Sequence, residues 1–215
     1  TPPAQLEHAL DLARTGAQQA NRSSVEVPLR LVRASLEIGA PEDARKRLAQ
    51  LESVIPGDWR LKWYSGQCAL LEDAFDKAAA DFDAVLTVLP GELAPKLALA
   101  QASEQAGDDA VAENLYVACA RTDATYVPMS AFGLARIRAA RSDVASAVAA
   151  YRLVPVQSSA YRTARAGLAE LLARANRGLP DLAEALRTLD DTSLSARRRA
   201  ELTTLIYREA LVTVE

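Results

Sequence analysis

The chain has 215 residues, half of them hydrophobic and a quarter charged, and carries a formal net charge of −3. Such a composition suits a folded polypeptide of one or two domains, and its mild acidity argues against nucleic acid as the main partner. No 18-residue apolar run occurs, so no membrane span is expected, and the opening TPPAQLEHAL lacks the basic and apolar regions of a signal peptide.

Alanine and leucine dominate and only nine glycines occur, so helix is favoured along the whole chain. The first residue is Thr1 rather than Met, and the chain is read as a piece of a longer polypeptide. Leu6, Leu10 and Ala13 predict a short amphipathic helix that carries His8, and residues 21–24 separate it from the remainder of the chain.

From residue 25 the chain repeats itself. Ala44, Ala78 and Ala112 recur every 34 residues, as do Leu48, Phe82 and Tyr116, and so do Pro56 and Pro90. The helix breaks keep the same interval, at Gly39, Asp73, Gly107 and Arg141. A 34-residue helix–turn–helix period is the mark of the tetratricopeptide repeat (TPR) class. The expected fold is therefore all-α: a right-handed superhelical solenoid of about five repeats over residues 25–192. Segment 1–24 precedes it and a capping helix within 193–215 closes it, all in one structural domain.

The first unit, 25–58, carries Ala44, Leu48 and Pro56, and after Gly39 its second helix opens on Pro41, Glu42 and Asp43. The unit 59–92 fits the consensus best. Gly66 and Ala78 are the small residues that let two helices approach, Phe82 fills the space beyond them, and Pro90 ends the unit. Ser65 and Ala69 stand where Leu and Tyr are usual. The third unit, 93–126, holds Ala100, Ala112 and Tyr116, with Ala124 in place of Pro. One residue of slippage then puts Ala135, Ala147 and Tyr151 in the fourth, and Ser142 with Asp143 offers a cap. A weaker fifth unit spans about 161–192, broken at Asn176, Arg177 and Gly178, with Pro180 opening its second helix. A last helix over about 195–213, capped by Ser193 or Ser195, should pack through Leu202, Leu205, Ile206 and Leu211.

Catalytic chemistry finds no support in these residues. His8 is the sole histidine, which rules out a Ser-His-Asp or multi-histidine metal site within the chain, and no glycine-rich phosphate loop occurs. No catalytic, metal or cofactor residue is assigned. Cys68 and Cys119 lie far apart and read as buried free thiols. The pairs Asp81/Asp83 and Asp108/Asp109 read as helix starts or solvated faces, and Arg197, Arg198 and Arg199 splay around one helix. Trp59 is expected in the core.

In a TPR array the first helices of the repeats line a concave face. The repeat frame places there Arg33, Glu37, Arg60, Trp63 and Gln67, then Leu97, Gln101 and Gln105, then Phe132 and Arg136. These are the candidate partner-binding residues, with Arg and Trp as anchors. Gly66, Ala78, Phe82, Pro90, Ala112 and Tyr116 are assigned to structure. A groove of the kind that clamps acidic chaperone tails would be rich in Lys and Asn, and this frame offers Gln and a few Arg instead.

Three stretches are more specific than any repeat consensus: DWRLKWYSG at 58–66, PGELAPKLALA at 90–100 and SAFGLAR at 130–136. Together they resemble the C-terminal TPR region of the actinobacterial soluble serine/threonine kinase called protein kinase G. The resemblance extends over essentially the whole chain, is clearest from 58 to 136, and loosens from YRLVP at 151–155. It implies a parent with a rubredoxin-like metal module and a kinase domain, where ATP and a divalent metal would act, while this segment needs no cofactor. It implies a non-catalytic regulatory role in the cytoplasm: recruitment of a forkhead-associated-domain regulator of 2-oxoglutarate dehydrogenase, which ties the kinase to glutamate and glutamine metabolism. The kinase domain itself is a further implied partner. A mainly structural role, as a homodimerising or kinase-bracing scaffold, is the alternative.

Overall fold

A computed structural model describes residues 25–190 and 194–214. The helix expected around His8, the separator 21–24 and the cap at Ser193 lie outside the described residues. Among the described residues stand eleven α-helices and no strand. They pair as α1 (Glu26–Glu37) with α2 (Pro41–Glu52), α3 (Trp59–Leu71) with α4 (Phe75–Val88), and α5 (Leu93–Ala106) with α6 (Asp109–Thr122). The series continues with α7 (Val127–Ala140) and α8 (Val144–Arg152), α9 (Tyr161–Ala175) and α10 (Leu179–Asp190), and closes on α11 (Ala196–Val214). The chain divides into two compact units, Thr1–Pro90 and Gly91–Glu215.

Gly178 apart, which adds a second positive φ to the last turn, every pair turns back at one left-handed residue. These are Gly39, Asp73, Gly107, Ser142 and Asn176, spaced 34 residues apart except for a 35-residue step from Gly107 to Ser142. In the first four turns the same two hydrogen bonds close the helix. The left-handed residue's N–H reaches the carbonyl three residues back, and the next N–H reaches the carbonyl five back: Ala40 to Ser35, Ala74 to Ala69 and Asp108 to Ser103 at 2.8 Å, and Asp143 to Arg138 at 2.9 Å. This is the Schellman arrangement, which satisfies carbonyls that a helix end leaves bare. Gly39 and Gly107 adopt positive φ freely, whereas Asp73 and Ser142 hold it at a cost of about 1–2 kcal/mol.

The fourth break thus falls at Ser142 and not at Arg141. The slip that moves Ala135 and Ala147 moves the turn with them, because an extra residue has entered between Ala112 and Ala135, where the 3₁₀ turn Ala124–Tyr126 stands. The cap belongs to Asp143, whose carboxylate accepts from the Ser146 N–H at 3.1 Å. Asp58 and Asp108 cap α3 and α6 in the same way. Ser195 caps α11, accepting from the Arg198 N–H at 3.3 Å.

In the unit Thr1–Pro90, Leu29, Val32 and Leu36 of α1 meet Ala44, Leu48 and Leu51 of α2, with Leu61 and Cys68 of α3 completing the cluster. In the unit Gly91–Glu215, Ala112 and Tyr116 of α6 pack with Leu134, Ala135 and Ile137 of α7. Leu168 and Leu172 of α9 meet Leu182 and Leu189 of α10, and α11 adds Leu202 and Ile206. Leu211 departs from expectation. It is 70% exposed, because the buried stripe of α11 ends near Ala210.

Three aromatic rings sit on three glycines. A Cβ on Gly66 would stand 2.7 Å from the Phe82 ring, and one on Gly167 would stand 2.8 Å from the Tyr151 ring. A Cβ on Gly133 would fall inside the van der Waals envelope of Tyr116. Phe82 lies over its own repeat's first helix, whereas Tyr116 and Tyr151 lie over the first helix of the following repeat. Ala78, Phe82, Ala112 and Tyr116 are fully buried, and Pro90 follows the end of α4.

Two residues correct the sequence reading. Asp81 is no helix start. It lies mid-α4, 5% exposed, where it accepts from Ser65 at 2.7 Å, Lys77 at 2.8 Å and Lys62 at 3.2 Å. Burial pushes its carboxyl up, but these three donors outweigh that and hold it below the ordinary range. Ser65, where Leu is usual, supplies one of these donors. Trp59 is 37% exposed rather than core, because it begins α3 away from the buried face marked by Leu61, Cys68 and Ala69.

Replacing Gly133 by Ala drives a methyl into the Tyr116 ring and should cost about 1–3 kcal/mol of unfolding free energy in urea titration. Gly91→Ala, where nothing lies within 4 Å, should change it by less than about 0.5 kcal/mol.

Candidate functional site

In the unit Thr1–Pro90 the candidate residues converge. Arg33 and Glu37 lie one turn apart on α1, and Trp63 and Gln67 one turn apart on α3. All four line one cavity of about 570 Å³, whose floor is completed by Leu36 and Tyr64. Arg33 and Glu37 pair with each other at 2.8 Å, both largely exposed. Trp63 is half-buried and tilts against Phe82, with ring centroids 5.4 Å apart. The indole thus touches the core through Phe82 and also lines the cavity. That is the setting in which a Trp anchors a partner.

Arg60 does not join them. Its guanidinium forks onto Asp58, with contacts of 2.7 to 3.2 Å, and reaches Glu26 on α1 at 2.6 Å. These pairings make it a brace between the starts of α1 and α3, and raise its guanidinium's affinity for the proton. Across α2 and α3, Arg45 and Glu72 form a second brace.

In the unit Gly91–Glu215, Phe132 and Arg136 of α7 line another cavity, of about 700 Å³, together with Tyr151 of α8, Arg162 of α9 and Arg198 of α11. Gln101 is half-buried and Gln105 exposed on α5, and neither lines this cavity. Leu97 is half-buried against the cluster around Tyr116.

Arg136 has a structural partner that the repeat frame did not suggest. It makes a two-pronged bond to Glu104, at 2.7 and 2.8 Å, and the Tyr116 hydroxyl donates to the same carboxylate at 2.7 Å. The Glu104 side chain is only 9% exposed. One carboxylate on α5 therefore holds α6 and α7 together. Burial and the adjacent Glu104 carboxylate push the Tyr116 phenol well above its ordinary range, and the pairing keeps Arg136 charged. The arginines of the basic run are all paired: Arg197 and Arg198 share Glu201, Arg198 also reaches Glu170, and Arg199 reaches Asp190. Cys68 and Cys119 are buried and form no disulfide, and desolvation raises both thiols.

Sequence reasoning did not single out Glu104, Gly133, Gly167 or Arg162. Gly133 and Gly167 are themselves 34 residues apart, a signal hidden because the period was followed through alanines and aromatics. Glu104 and Arg162 carry no periodic mark at all.

Among the described residues no group of three or more metal-ligating side chains gathers, and no helix is long and apolar enough to cross a membrane. Paired antiparallel helices, recurring every 34 or 35 residues and locked by aromatic-on-glycine contacts, define a tetratricopeptide-repeat protein. Solved structures agree on the fold. The C-terminal part of a TPR repeat-containing protein from Cytophaga hutchinsonii matches with a TM-score of 0.61 at 14% identity, over 84% of this chain and 67% of that one. YrrB, described as a TPR protein with an unusual peptide-binding site, matches with a TM-score of 0.60 at 13% identity, over 88% of this chain and 97% of that one.

The sequence model of the protein kinase G tetratricopeptide repeat family matches residues 1–214, and the chain belongs to that family. The serine/threonine-protein kinase PknG of Mycobacterium leprae is 38% identical over 167 residues, covering 76% of this chain and 22% of the relative. That of Mycolicibacterium smegmatis is 38% identical over 167 residues, covering 74% and 21%. The chain spans about a fifth of the length of these relatives.

Tyr116→Phe removes one donor from Glu104 and should lower the unfolding free energy by about 1–2 kcal/mol. Urea denaturation reads this directly, and an unchanged midpoint would mean that the hydroxyl contributes nothing to holding α5 and α6 together.

Proposed function

We propose that this chain is the non-catalytic regulatory and substrate-recruitment region of a serine/threonine protein kinase. Its partner is the forkhead-associated-domain regulator of 2-oxoglutarate dehydrogenase, and the seat is the cavity between α1 and α3. One observation carries the reading: Arg33, Glu37, Trp63 and Gln67 meet on a single cavity in a chain of the protein kinase G repeat family. Trp63 supplies an apolar anchor, and Arg33 and Glu37 supply one exposed charge of each sign for orienting a partner. The segment transfers no phosphate. ATP and a divalent metal belong to the kinase domain of the parent, which acts in the cytoplasm, and the repeats hold the substrate near it, raising its effective concentration.

Calorimetry with the unphosphorylated regulator tests this. Trp63→Ala should weaken binding by about tenfold or more, with helicity retained, and Arg33→Ala by a smaller factor. Absence of binding to the wild-type chain at low and moderate salt would sink the recruitment reading.

A second reading, homodimerisation or bracing of the kinase domain, has its own support. Tyr207, Leu211 and Val214 follow one another at helical spacing on α11 and are 58%, 70% and 73% exposed. Sedimentation should then show a concentration-dependent dimer that Leu211→Glu abolishes. A wild-type chain that stays monomeric at high concentration would remove the dimer version.

A further inference from the structure

We propose that residues 1–24 supply a helix that docks on the outward face of α1 and covers it as the second helix of a preceding repeat would. α1 bares a face that later first helices keep covered, and the docking does not depend on what the cavity between α1 and α3 binds.

On α1 and its C-cap, Val27, Leu31, Ala34 and Ile38 are all exposed. Steps of four, three and four residues put them within about 60° of one another around the helix. They lie on the side opposite Leu29 and Leu36, which pack against α2. An end meant to stay open carries a polar outer face, and this one is apolar.

The same positions are covered further along. One repeat later, Val27 and Ala34 become Leu61 and Cys68, buried in the cluster that α3 forms with α2. In the fourth repeat, Val27, Leu31 and Ala34 become Ser130, Leu134 and Ile137, all buried, the last two in the cluster with Ala112 and Tyr116 of α6. In these repeats a first helix is packed by its own second helix and by that of the repeat before. Among the described residues no helix precedes α1.

The occupant follows from what the chain places before α1. Residues 1–24 lie outside the described residues and run directly into it. Leu6, Leu10, Ala13 and Ala17 repeat the steps of four, three and four, so a helix through them presents one apolar side. Folded back antiparallel, the two stripes face each other as Leu6 with Ile38, Leu10 with Ala34, Ala13 with Leu31 and Ala17 with Val27. Three of these four pairs set a large side chain against a small one, which is how facing helices interdigitate. Residues 18–25 are left for the connection, within the about 2–8 residues that join helices in bundles. Asn21, Ser23 and Ser24 in it are residues that turns favour.

The 34-residue frame alone would set Arg14 in the place of Leu48, so the segment is a cap fitted to α1 and not a sixth repeat. A second copy of the chain would have to compete with a segment that a short connection holds at millimolar effective concentration. Because α1 also carries Arg33 and Glu37, the docked segment holds one wall of the cavity between α1 and α3.

Hydrogen–deuterium exchange of the full chain, read by mass spectrometry on peptides from α1, tests the docking. Leu10→Glu should speed exchange of the α1 amides by about tenfold and leave those of α9 unchanged. Leu12→Glu puts the same charge on the other side of the segment and should leave α1 as in wild type. Adding Ala34→Lys to Leu10→Glu should restore part of the protection, and a failure to do so would overturn the antiparallel pairing. Unchanged exchange in Leu10→Glu, an equal acceleration in Leu12→Glu, or wild-type protection of α1 that rises with protein concentration, as docking of a second copy requires, would each overturn the proposal.

Discussion

Each repeat in this chain depends on one residue that must leave the right-handed region. At Gly39, Asp73, Gly107 and Ser142 the chain reverses through a left-handed residue and the same two hydrogen bonds. The turn fixes where the second helix begins and hence which of its residues face the first. Ala78 meets α3 and Ala112 meets α5 only because the turns before them fall in the right place. A break displaced by one residue would rotate the following helix by about 100° and bury a different face.

Contacts that pass between helices are built on that register. The aromatic rings of the second helices find glycines because the register brings the two to one height. Phe82 stays within its own repeat, whereas Tyr116 and Tyr151 reach forward to the next one. Glu104 then joins three helices through a single carboxylate. The candidate binding residues sit on this frame, not on loops, so their geometry is inherited from the packing of the helices beneath them.

The fold was largely legible because the period reports positions where size is constrained on every side. Alanine at 78 and 112, and the aromatics at 82 and 116, leave a clear imprint. Candidate binding residues leave a weaker one. Arg33, Glu37, Trp63 and Gln67 are nominated because the repeat frame names a helix face, and in the first unit that face lines a cavity. The frame could not tell an arginine that ties two helices together from one paired within its own helix. Arg33 pairs one turn away on its own helix, with Glu37, whereas Arg60 reaches Glu26 on α1 and Arg136 reaches Glu104 on α5, and those two partnerships depend on tertiary distance. Asp81 was misplaced for the same reason: a carboxylate in mid-helix reads as solvated until Ser65, Lys62 and Lys77 are seen around it. Protein kinase G membership came from the less periodic stretches, since the repeat positions are shared by every array of this kind.

The extra residue before the fourth repeat shows where such an array tolerates a change of length. It entered where the 3₁₀ turn Ala124–Tyr126 links α6 to α7, and every helix-reversing turn beyond it kept its hydrogen bonds or its left-handed residue. The links within repeats have no such freedom, because one inserted residue would separate the two N–H donors from their carbonyls. Insertions and deletions among relatives should therefore gather between repeats and be scarce inside them. The same links are the natural places to splice in a tag or a foreign loop without unthreading the stack.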